Sequence, residues 1–327
     1  MHRVIAWTFA VLGLLTPISA QEQAALTLEA KIRLGDVKGR IDHLAVDPKR
    51  KRLFVAELGN NSVAVVDINL GKVIQRISDL KEPQGIGYVA ASDTVYVASG
   101  GDGTLRMFAG ENLASVGRID LGDDADNIRV DEPAGRVYVG YGSGAIAVIE
   151  AAKRSKVADI ALSAHPESFQ LDARTRRIFV NVPAKQSIAV VDRDAGRELT
   201  SWPTGNGTHF AMALDHEANR LFIAFREPAR IRVLGRENGQ SLANVETCGD
   251  IDDMFLDARR RRLYVSCGEG LVDVLDTSGS TFARLGRVST VAGARTSLFV
   301  ADLDRFFVAA RQTPDEGAAV LVFRPDP

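Results

Sequence analysis

The sequence has 327 residues, of which 46% are hydrophobic, and its formal net charge is -2. This length is enough to bury a large core, and by itself it favours about two domains. A net charge near zero gives no general electrostatic reason to expect binding to nucleic acid or to an anionic membrane.

The first twenty residues have the organisation of a secretory signal peptide. Met1-His2-Arg3 carries positive charge, residues 4–15 form an apolar run, and small residues precede Gln21. Cleavage after Ala20 is expected. The alternative is an uncleaved anchor, although the apolar run is shorter than the ~20 residues that span a bilayer. The mature protein is therefore expected to be periplasmic or secreted, without stable insertion in a membrane.

A short run with a central aromatic residue returns seven times along the rest of the chain. The seven aromatic residues are Phe54, Tyr96, Tyr138, Phe179, Phe222, Tyr264 and Phe307. They are spaced 41 to 43 residues apart, and a repeat of about 40–45 residues is the length of one four-stranded propeller blade. The repeat overrules the two-domain expectation. It predicts an all-β fold, a single seven-bladed β-propeller of four-stranded blades over residues 21–327.

Each repeat unit also has recognisable strands and turns. The predicted blades cover residues 41–80, 81–122, 123–163, 164–205, 206–249, 250–290 and 291–325. An aspartate stands seven residues before the aromatic residue in five blades, as Asp47, Asp131, Asp172, Asp215 and Asp257. At the start of a turn it should accept backbone N–H bonds. The seventh copy lacks its last strand, and residues 26–34 can supply it, which would close the ring.

The second and third strands of these units carry a family resemblance. The second strands read LFVA, VYVA, VYVG and IFVN, and third strands read VAVVD and IAVVD. This pattern resembles the YVTN-repeat family of seven-bladed β-propellers over the whole mature chain. The resemblance implies the fold. It implies no single function, because related seven-bladed propellers include lactonases, a streptogramin lyase and binding scaffolds.

Positions where the seven copies differ are candidates for function, because shared positions build the sheets. Five residues before the turn aspartate, or its equivalent, the copies carry Asp42, Gln84, Asp126, Glu167, Phe210, Asp252 and Arg295. The next position carries His43, Gly85, Asn127, Ser168, Ala211, Asp253 and Thr296, and His209 precedes Phe210. Since the inner strand of a blade lines the axis, these residues predict one asymmetric polar pocket there. The alternative is a solvated channel mouth whose carboxylates pair with Arg295.

The residue types in this ring suit metal binding or acid–base chemistry. Four carboxylates could bind a divalent metal (Ca²⁺, Mg²⁺, Mn²⁺ or Zn²⁺), namely Asp42, Asp126, Asp252 and Asp253. Gln84 and Asn127 could add amide contacts to a cofactor. The candidate catalytic residues are Glu167 as a general base, His43 or His209 as the base of a lyase, and Arg295 as the group that holds a substrate carboxylate or phosphate.

These residues leave two functions open. The first is a small-molecule pocket, in the form of a metal-dependent, lactonase-like hydrolase. The second is a non-catalytic binding scaffold or a protein-interaction scaffold that uses the rim loops. The sequence matches no lactonase-type metal motif, so the first hypothesis depends on the composition of the ring alone.

The sequence contains two cysteines, Cys248 and Cys267. Cys248 precedes the first strand of the sixth blade, and Cys267 ends its second strand. Because antiparallel strands bring these two points to the same rim, a disulfide is predicted, and export would permit it. Two free thiols or a soft-metal site are the alternatives.

Basic residues cluster in turns on the face opposite the polar ring, at residues 49–52 and 259–262. A nucleic-acid site would be expected to interleave aromatic residues with the basic ones. These turns contain no aromatic residue, so they are interpreted as solvated turns, and no nucleic-acid partner is expected.

Overall fold

The computed structural model describes residues 25–327, so the expected signal peptide lies outside the described residues. This part of the chain folds into seven four-stranded antiparallel sheets. The prediction of an all-β, seven-bladed propeller is thereby confirmed. Three single-turn 3-10 helices lie in the connections, at Leu58–Asn60, Pro183–Lys185 and Ala301–Leu303. Along residues 25–327, no helix is long and apolar enough to cross a membrane.

In blades 1 to 6 the four strands run from the axis outward in sequence order. The chain begins with β1 (Leu26–Gly35). Blade 1 contains β2 (Leu44–Asp47), β3 (Arg52–Glu57), β4 (Ser62–Asp67) and β5 (Lys72–Ile77). Blade 2 contains β6 (Pro83–Val89), β7 (Thr94–Ser99), β8 (Thr104–Ala109) and β9 (Ser115–Asp120). Blade 3 contains β10 (Ile128–Asp131), β11 (Arg136–Tyr141), β12 (Ala145–Glu150) and β13 (Ser155–Ala161).

The other blades follow the same order. Blade 4 contains β14 (Phe169–Asp172), β15 (Arg177–Val182), β16 (Ser187–Asp192) and β17 (Arg197–Pro203). Blade 5 contains β18 (Thr208–Asp215), β19 (Arg220–Glu227), β20 (Arg230–Gly235) and β21 (Ser241–Glu246). Blade 6 contains β22 (Ile251–Asp257), β23 (Arg262–Cys267), β24 (Leu271–Asp276) and β25 (Arg284–Ser289). Blade 7 contains β26 (Ser297–Val300), β27 (Arg305–Ala310) and β28 (Ala318–Pro325).

The N-terminal strand completes the last blade. β1 pairs antiparallel with β28, and Ile32 stands opposite Val320. Ile32 and Leu34 are buried in a cluster that also contains Leu53 of blade 1 and Phe307 of blade 7. The predicted closure of the ring by the N-terminal strand is confirmed, and the first and last blades share one core.

The repeated aromatic residues lie on the second strand of each blade and are buried between blades. All seven are at most 4% exposed. Tyr264 of blade 6, for example, lies with its ring centroid 5.1 Å from that of Phe306 and 5.2 Å from that of Phe299, both in blade 7. Burying a large apolar side chain contributes about 1.5–3 kcal/mol to folding. The repeat therefore marks the positions that hold neighbouring blades together.

The turn aspartates cap the connection between the first two strands. Oδ1 of Asp47 accepts the backbone N–H groups of Lys49 and Arg50, both at 3.0 Å. Asp215 does the same for Glu217 and Ala218 at 3.1 and 2.9 Å. This role was expected for an aspartate at a turn.

Two turn arginines link neighbouring blades through equivalent ion pairs. Nη1 of Arg260 donates to Asp257 of its own turn at 2.9 Å and to Asp304 of blade 7 at 2.6 Å, and Nη2 donates to Asp304 at 2.8 Å. Arg50 makes the equivalent contacts with Asp47 and with Asp93 of blade 2. The side chains of these two arginines therefore make contacts that stabilise the fold.

Replacing Arg260 with alanine should lower the free energy of unfolding by about 2–4 kcal/mol, because it leaves the buried carboxylate of Asp257 without its charge partner. Arg259→Ala is the matched control: its side chain is 73% exposed, so its loss should cost under about 0.5 kcal/mol. Urea unfolding of both variants checks this. Equal losses of unfolding free energy in the two variants would contradict the role of Arg260 in linking the blades.

Candidate functional site

The polar ring lies around one cavity on the propeller axis, at the rim where the last strand of one blade connects to the first strand of the next. We call it the axial cavity, and its volume is about 180 Å³. All seven residues of the ring that the repeats define line it: Asp42, Gln84, Asp126, Glu167, Phe210, Asp252 and Arg295. They stand together because each lies at or just before the inner strand of a different blade.

Arginines neutralise one side of the axial cavity. Arg295 Nε lies 2.9 Å from Asp252 and its Nη1 lies 3.0 Å from Asp250. Arg226 also pairs with Asp252 and stacks over the ring of Phe210, with 3.7 Å between Cζ and the ring centroid. Burial raises the pKa of Asp252, and the nearby Arg226 and Arg295 oppose that rise. The negative charge of Asp252 is therefore already balanced by two arginines.

Asp42 and His43 form a second charged group. Arg40 Nη2 lies 2.5 Å from Asp42. His43 lies 3.6 Å from Asp42 through Nε2 and 3.4 Å from Asp253 through Nδ1. Burial alone would lower the pKa of His43, but Asp253, Asp42 and Asp126 together raise it to about 10. At neutral pH the imidazole of His43 is therefore protonated and positively charged. In this form it can act as a general acid, whereas a general base was expected from the sequence.

Asp126 and Glu167, from adjacent blades, differ from the other cavity carboxyls. Among residues 25–327, neither side chain has an ion pair or a hydrogen-bond partner, and Oδ1 of Asp126 is buried without one. Burial raises the pKa of Asp126 to about 7, with His43 opposing and Asp42 and Glu167 adding to the rise. Burial, then the charge of Asp252, raises the pKa of Glu167 to about 7. These two groups can gain or lose a proton near neutral pH.

The remaining predicted residues divide between two places. Gln84 lines the axial cavity, with Nε2 3.3 Å from Asp124. Asn127 also lines it and is 3% exposed. Asp253 instead faces a second cavity farther along the axis, where it accepts the backbone N–H of Ser297 at 2.9 Å. The four acids that were predicted as a metal set therefore do not all face the same space.

His209 does not reach the axial cavity, which corrects its expected place there. Its side chain is fully buried between blades 4 and 5, with Nδ1 3.0 Å from Asn181 Oδ1 and Nε2 3.0 Å from Thr204 Oγ1. Burial lowers its pKa to about 4. The pairing of β18 with β19 is irregular on both sides of His209, and Phe210 reaches the cavity whereas His209 packs in the interblade core.

Four further residues line the axial cavity outside the aligned positions. They are Arg40, Asp124, His165 and Arg226. Nδ1 of His165 lies 2.6 Å from the carbonyl oxygen of Gly142 and 3.7 Å from Asp124. Arg226 could have been found by aligning the end of the second strand, where other copies carry Leu58, Gly100 and Gly142. Arg40, Asp124 and His165 each stand two residues before the aligned ring residue of their blade, so the same alignment, extended by two residues, would have included them.

The axial cavity offers few free donors to a metal. Among residues 25–327, no group of three or more His, Cys, Asp or Glu side chains is arranged to hold an ion. Asp42 and Asp252 are paired with arginines, and a metal would have to displace those guanidinium groups. Asp126 and Glu167 are the cavity carboxyls whose oxygens are free to coordinate a cation.

Cys248 and Cys267 form a disulfide, with Cα atoms 5.8 Å apart. Both are buried, at 2% and 0% exposure. The bond joins the segment before β22 to the end of β23, at the rim that carries Asp250 and Asp252. It therefore ties down the loop that leads into the axial cavity.

The chain is a seven-bladed β-propeller with a polar cavity on its axis. No protein-family model matches the chain, and no curated protein matches its sequence. The structure is similar to that of hydrazine synthase from Kuenenia stuttgartiensis, with a TM-score of 0.71 and 15% identity over 89% of this chain and 98% of that one. It is also similar to a chain in the crystal structure of a mitotic checkpoint complex, with a TM-score of 0.78 and 13% identity over 99% and 98%. At these identities, the similarity shows the fold alone.

Proposed function

We propose that the protein binds a small molecule in the axial cavity. Asp126 and Glu167 would accept hydrogen bonds from this molecule or form ion pairs with a positively charged group on it. The observation that carries this proposal is the difference among the cavity carboxyls. Asp42 and Asp252 have arginine partners, whereas the buried Oδ1 of Asp126 has none. An unpartnered buried polar atom is costly, and a ligand that donates to it would recover that free energy.

The size of the cavity limits the ligand. At about 180 Å³ it is smaller than the 300–1,000 Å³ typical of pockets for drug-sized molecules. A compact metabolite with an amine or several hydroxyl groups fits both the volume and the free acceptors. Arg40, Arg226 and Arg295 line the same cavity, so a ligand that also carries a carboxylate could exchange with the carboxylates that they now bind.

A hydrolytic reaction is the finer form of the proposal. A carboxyl with a pKa of about 7 is partly ionised at neutral pH, which is where a general base works best. Asp126 or Glu167 would take a proton from water, and the protonated His43 would stabilise developing negative charge. We also propose that the chain is a member of the YVTN-repeat family. Related propellers include lactonases, which agrees with a hydrolytic reaction.

A divalent cation is the second candidate occupant, and the unpaired oxygens of Asp126 and Glu167 favour it. Two carboxylates and the nearby amide of Asn127 are hard donors that suit Ca²⁺, Mg²⁺ or Mn²⁺. Such an ion would polarise a carbonyl group of a bound substrate. The chain's own contribution would be to place these oxygens and to balance the charge with His43 and the arginines.

We further propose that the protein works outside the cytoplasm. The buried Cys248–Cys267 disulfide supports this, because disulfides persist in oxidising compartments. A periplasmic or secreted location also agrees with the signal peptide that residues 1–20 predict.

A thermal-shift screen at pH 8 tests the proposed site, with small amines, polyols, lactones and the cations Ca²⁺, Mg²⁺, Mn²⁺ and Zn²⁺ as probes. Calorimetry on the compounds that shift the wild type should show affinity about tenfold or more weaker in Asp126→Asn and in Glu167→Gln. Asp123→Asn, an exposed neighbour, is the matched control. Binding that survives both cavity substitutions would refute the site, and binding without turnover of any lactone would favour the scaffold function.

A further inference from the structure

The channel continues beyond the axial cavity into a second and larger space. This lower chamber has a volume of about 620 Å³ and shares His43 with the axial cavity. It extends to Ala301 and Asp302, in the turn between β26 and β27. Its outer mouth therefore opens on the face of the propeller opposite the axial cavity, and its inner end lies at His43, Arg129 and Asp253.

The side chains around the lower chamber are mainly apolar. Leu44, Val46, Ile86, Ile128, Leu214 and Met254 are among its lining residues. Tyr88 and Phe299 add aromatic surface. A space of this size with apolar walls and a few polar groups at one end has the composition of a ligand pocket.

Arg129 is the unusual group at the inner end. Its Nη1 donates to the carbonyl oxygen of Ile128 at 2.8 Å and to Asn127 Oδ1 at 3.4 Å. Its Nη2 donates to Ser168 Oγ at 3.0 Å, and its Cζ lies 5.5 Å from the ring centroid of Phe169. All of these partners are neutral, and no carboxylate of residues 25–327 lies within 4.0 Å of it. Burial lowers its pKa, and only the more distant charges of Asp253 and Asp126 oppose this.

The neighbouring charges leave the inner end positive. Asp253 is the carboxylate nearest to this point, and it is already engaged by His43 at 3.4 Å and by the backbone of Ser297 at 2.9 Å. His43 also lies 3.6 Å from Asp42, which Arg40 pairs, so Arg129 is the charge at this end that no carboxylate compensates. The other lining carboxylate, Asp302, is exposed at the outer mouth. A half-buried guanidinium group without a carboxylate partner favours an anion from outside the chain.

We propose that the lower chamber binds an amphipathic monocarboxylate, with its carboxylate at Arg129 and its apolar body along the chamber toward Val300. This site is separate from the one proposed for Asp126 and Glu167, and it serves a different class of ligand. The bidentate geometry of a guanidinium group suits a carboxylate, and the apolar walls suit an alkyl or aryl group.

Calorimetry with octanoate and 4-phenylbutyrate tests the proposal and separates aliphatic from aromatic bodies. We expect saturable binding of at least one of them to the wild type. Arg129→Gln should weaken it by about tenfold or more, since a charge-assisted contact is lost. Arg118→Gln, on the exposed part of β9, should leave the affinity unchanged. Octanol, which lacks the carboxylate, should bind the wild type and Arg129→Gln equally. Absence of binding by both acids, or equal octanoate affinity in wild type and Arg129→Gln, would overturn the proposal.

A structural measurement on the wild type does not depend on how well Arg129→Gln folds. Crystals soaked with 8-bromooctanoate should show anomalous bromine density in the lower chamber, between Val46 and Val300, with the carboxylate at Arg129. Bromine density only on the outer blade surfaces, or none at saturating concentration, would contradict the assignment. Val300→Trp, which narrows the chamber near its mouth, should abolish the density while the fold is retained.

Discussion

Deleting residues 25–34, which form most of β1, should lower the free energy of unfolding by about 5 kcal/mol or more. The deletion removes three side chains that are at most 3% exposed, Leu26, Ile32 and Leu34, each worth about 1.5–3 kcal/mol. It also leaves β28 with an open edge. For a domain whose total stability is about 5–15 kcal/mol, this loss should lower the melting temperature by roughly 10 °C or more.

Two point substitutions on the same strand serve as a matched pair for this prediction. Ile32→Ala should cost about 2–4 kcal/mol, because Ile32 is buried against blade 1. Leu28→Ala should cost under about 0.5 kcal/mol, because Leu28 is 52% exposed. Scanning calorimetry of the three proteins checks this. A deletion variant that melts at the wild-type temperature would show that the ring does not depend on β1.

The second large effect is expected from Asp126→Asn, whose stability relative to wild type should depend on pH. Burial raises the pKa of Asp126 from 3.8 to about 7. Between these values the folded protein holds a proton that the unfolded chain has released, so this group makes wild-type stability fall as pH rises from about 4 to about 7. Each unit of pKa difference corresponds to about 1.4 kcal/mol.

Asparagine cannot ionise, so Asp126→Asn should be more stable than wild type at pH 8 by up to a few kcal/mol. At pH 4 the two proteins should differ little. Urea unfolding across this range measures the difference, and Asp123→Asn, which is exposed, should show no comparable change. A difference between wild type and Asp126→Asn that is constant from pH 4 to pH 8 would mean that Asp126 titrates normally.

The fold could be predicted from the sequence because its signal is repeated seven times. One aromatic residue in one strand is weak information, but seven at nearly constant spacing leave little choice of architecture. The same alignment located the ring, since a repeated strand register carries each position five residues before the turn to the same height on the axis. Asp42, Asp126, Glu167 and Asp252 all line the axial cavity for this reason.

The details of the site could not be predicted because they depend on features that do not repeat. Asp42 and Asp252 are neutralised by Arg40 and Arg226, and an alignment of the copies does not show which carboxylate each arginine contacts. The error at His209 has a local cause. The pairing of β18 with β19 is irregular on both sides of His209, so counting from the turn did not reveal which face of the blade its ring takes.

The protonation states were also beyond the sequence. His43 and His209 are the same residue type at aligned positions two residues apart, yet their pKa values move in opposite directions, to about 10 and about 4. His43 has Asp42 and Asp253 beside it, whereas His209 has a neutral amide and a hydroxyl group. This difference appears only once the partners from other blades are in place.

The central claim is that the axial cavity is a ligand site built on Asp126 and Glu167, and a crystal structure at pH 8 tests it most directly. The crystal would be soaked with the compound that gives the largest thermal shift. We expect density for that compound inside the axial cavity, with donor atoms within hydrogen-bond distance of both carboxyls. Density for it only on the rim loops or outer strands, or water alone in the cavity at saturating concentration, would contradict the account.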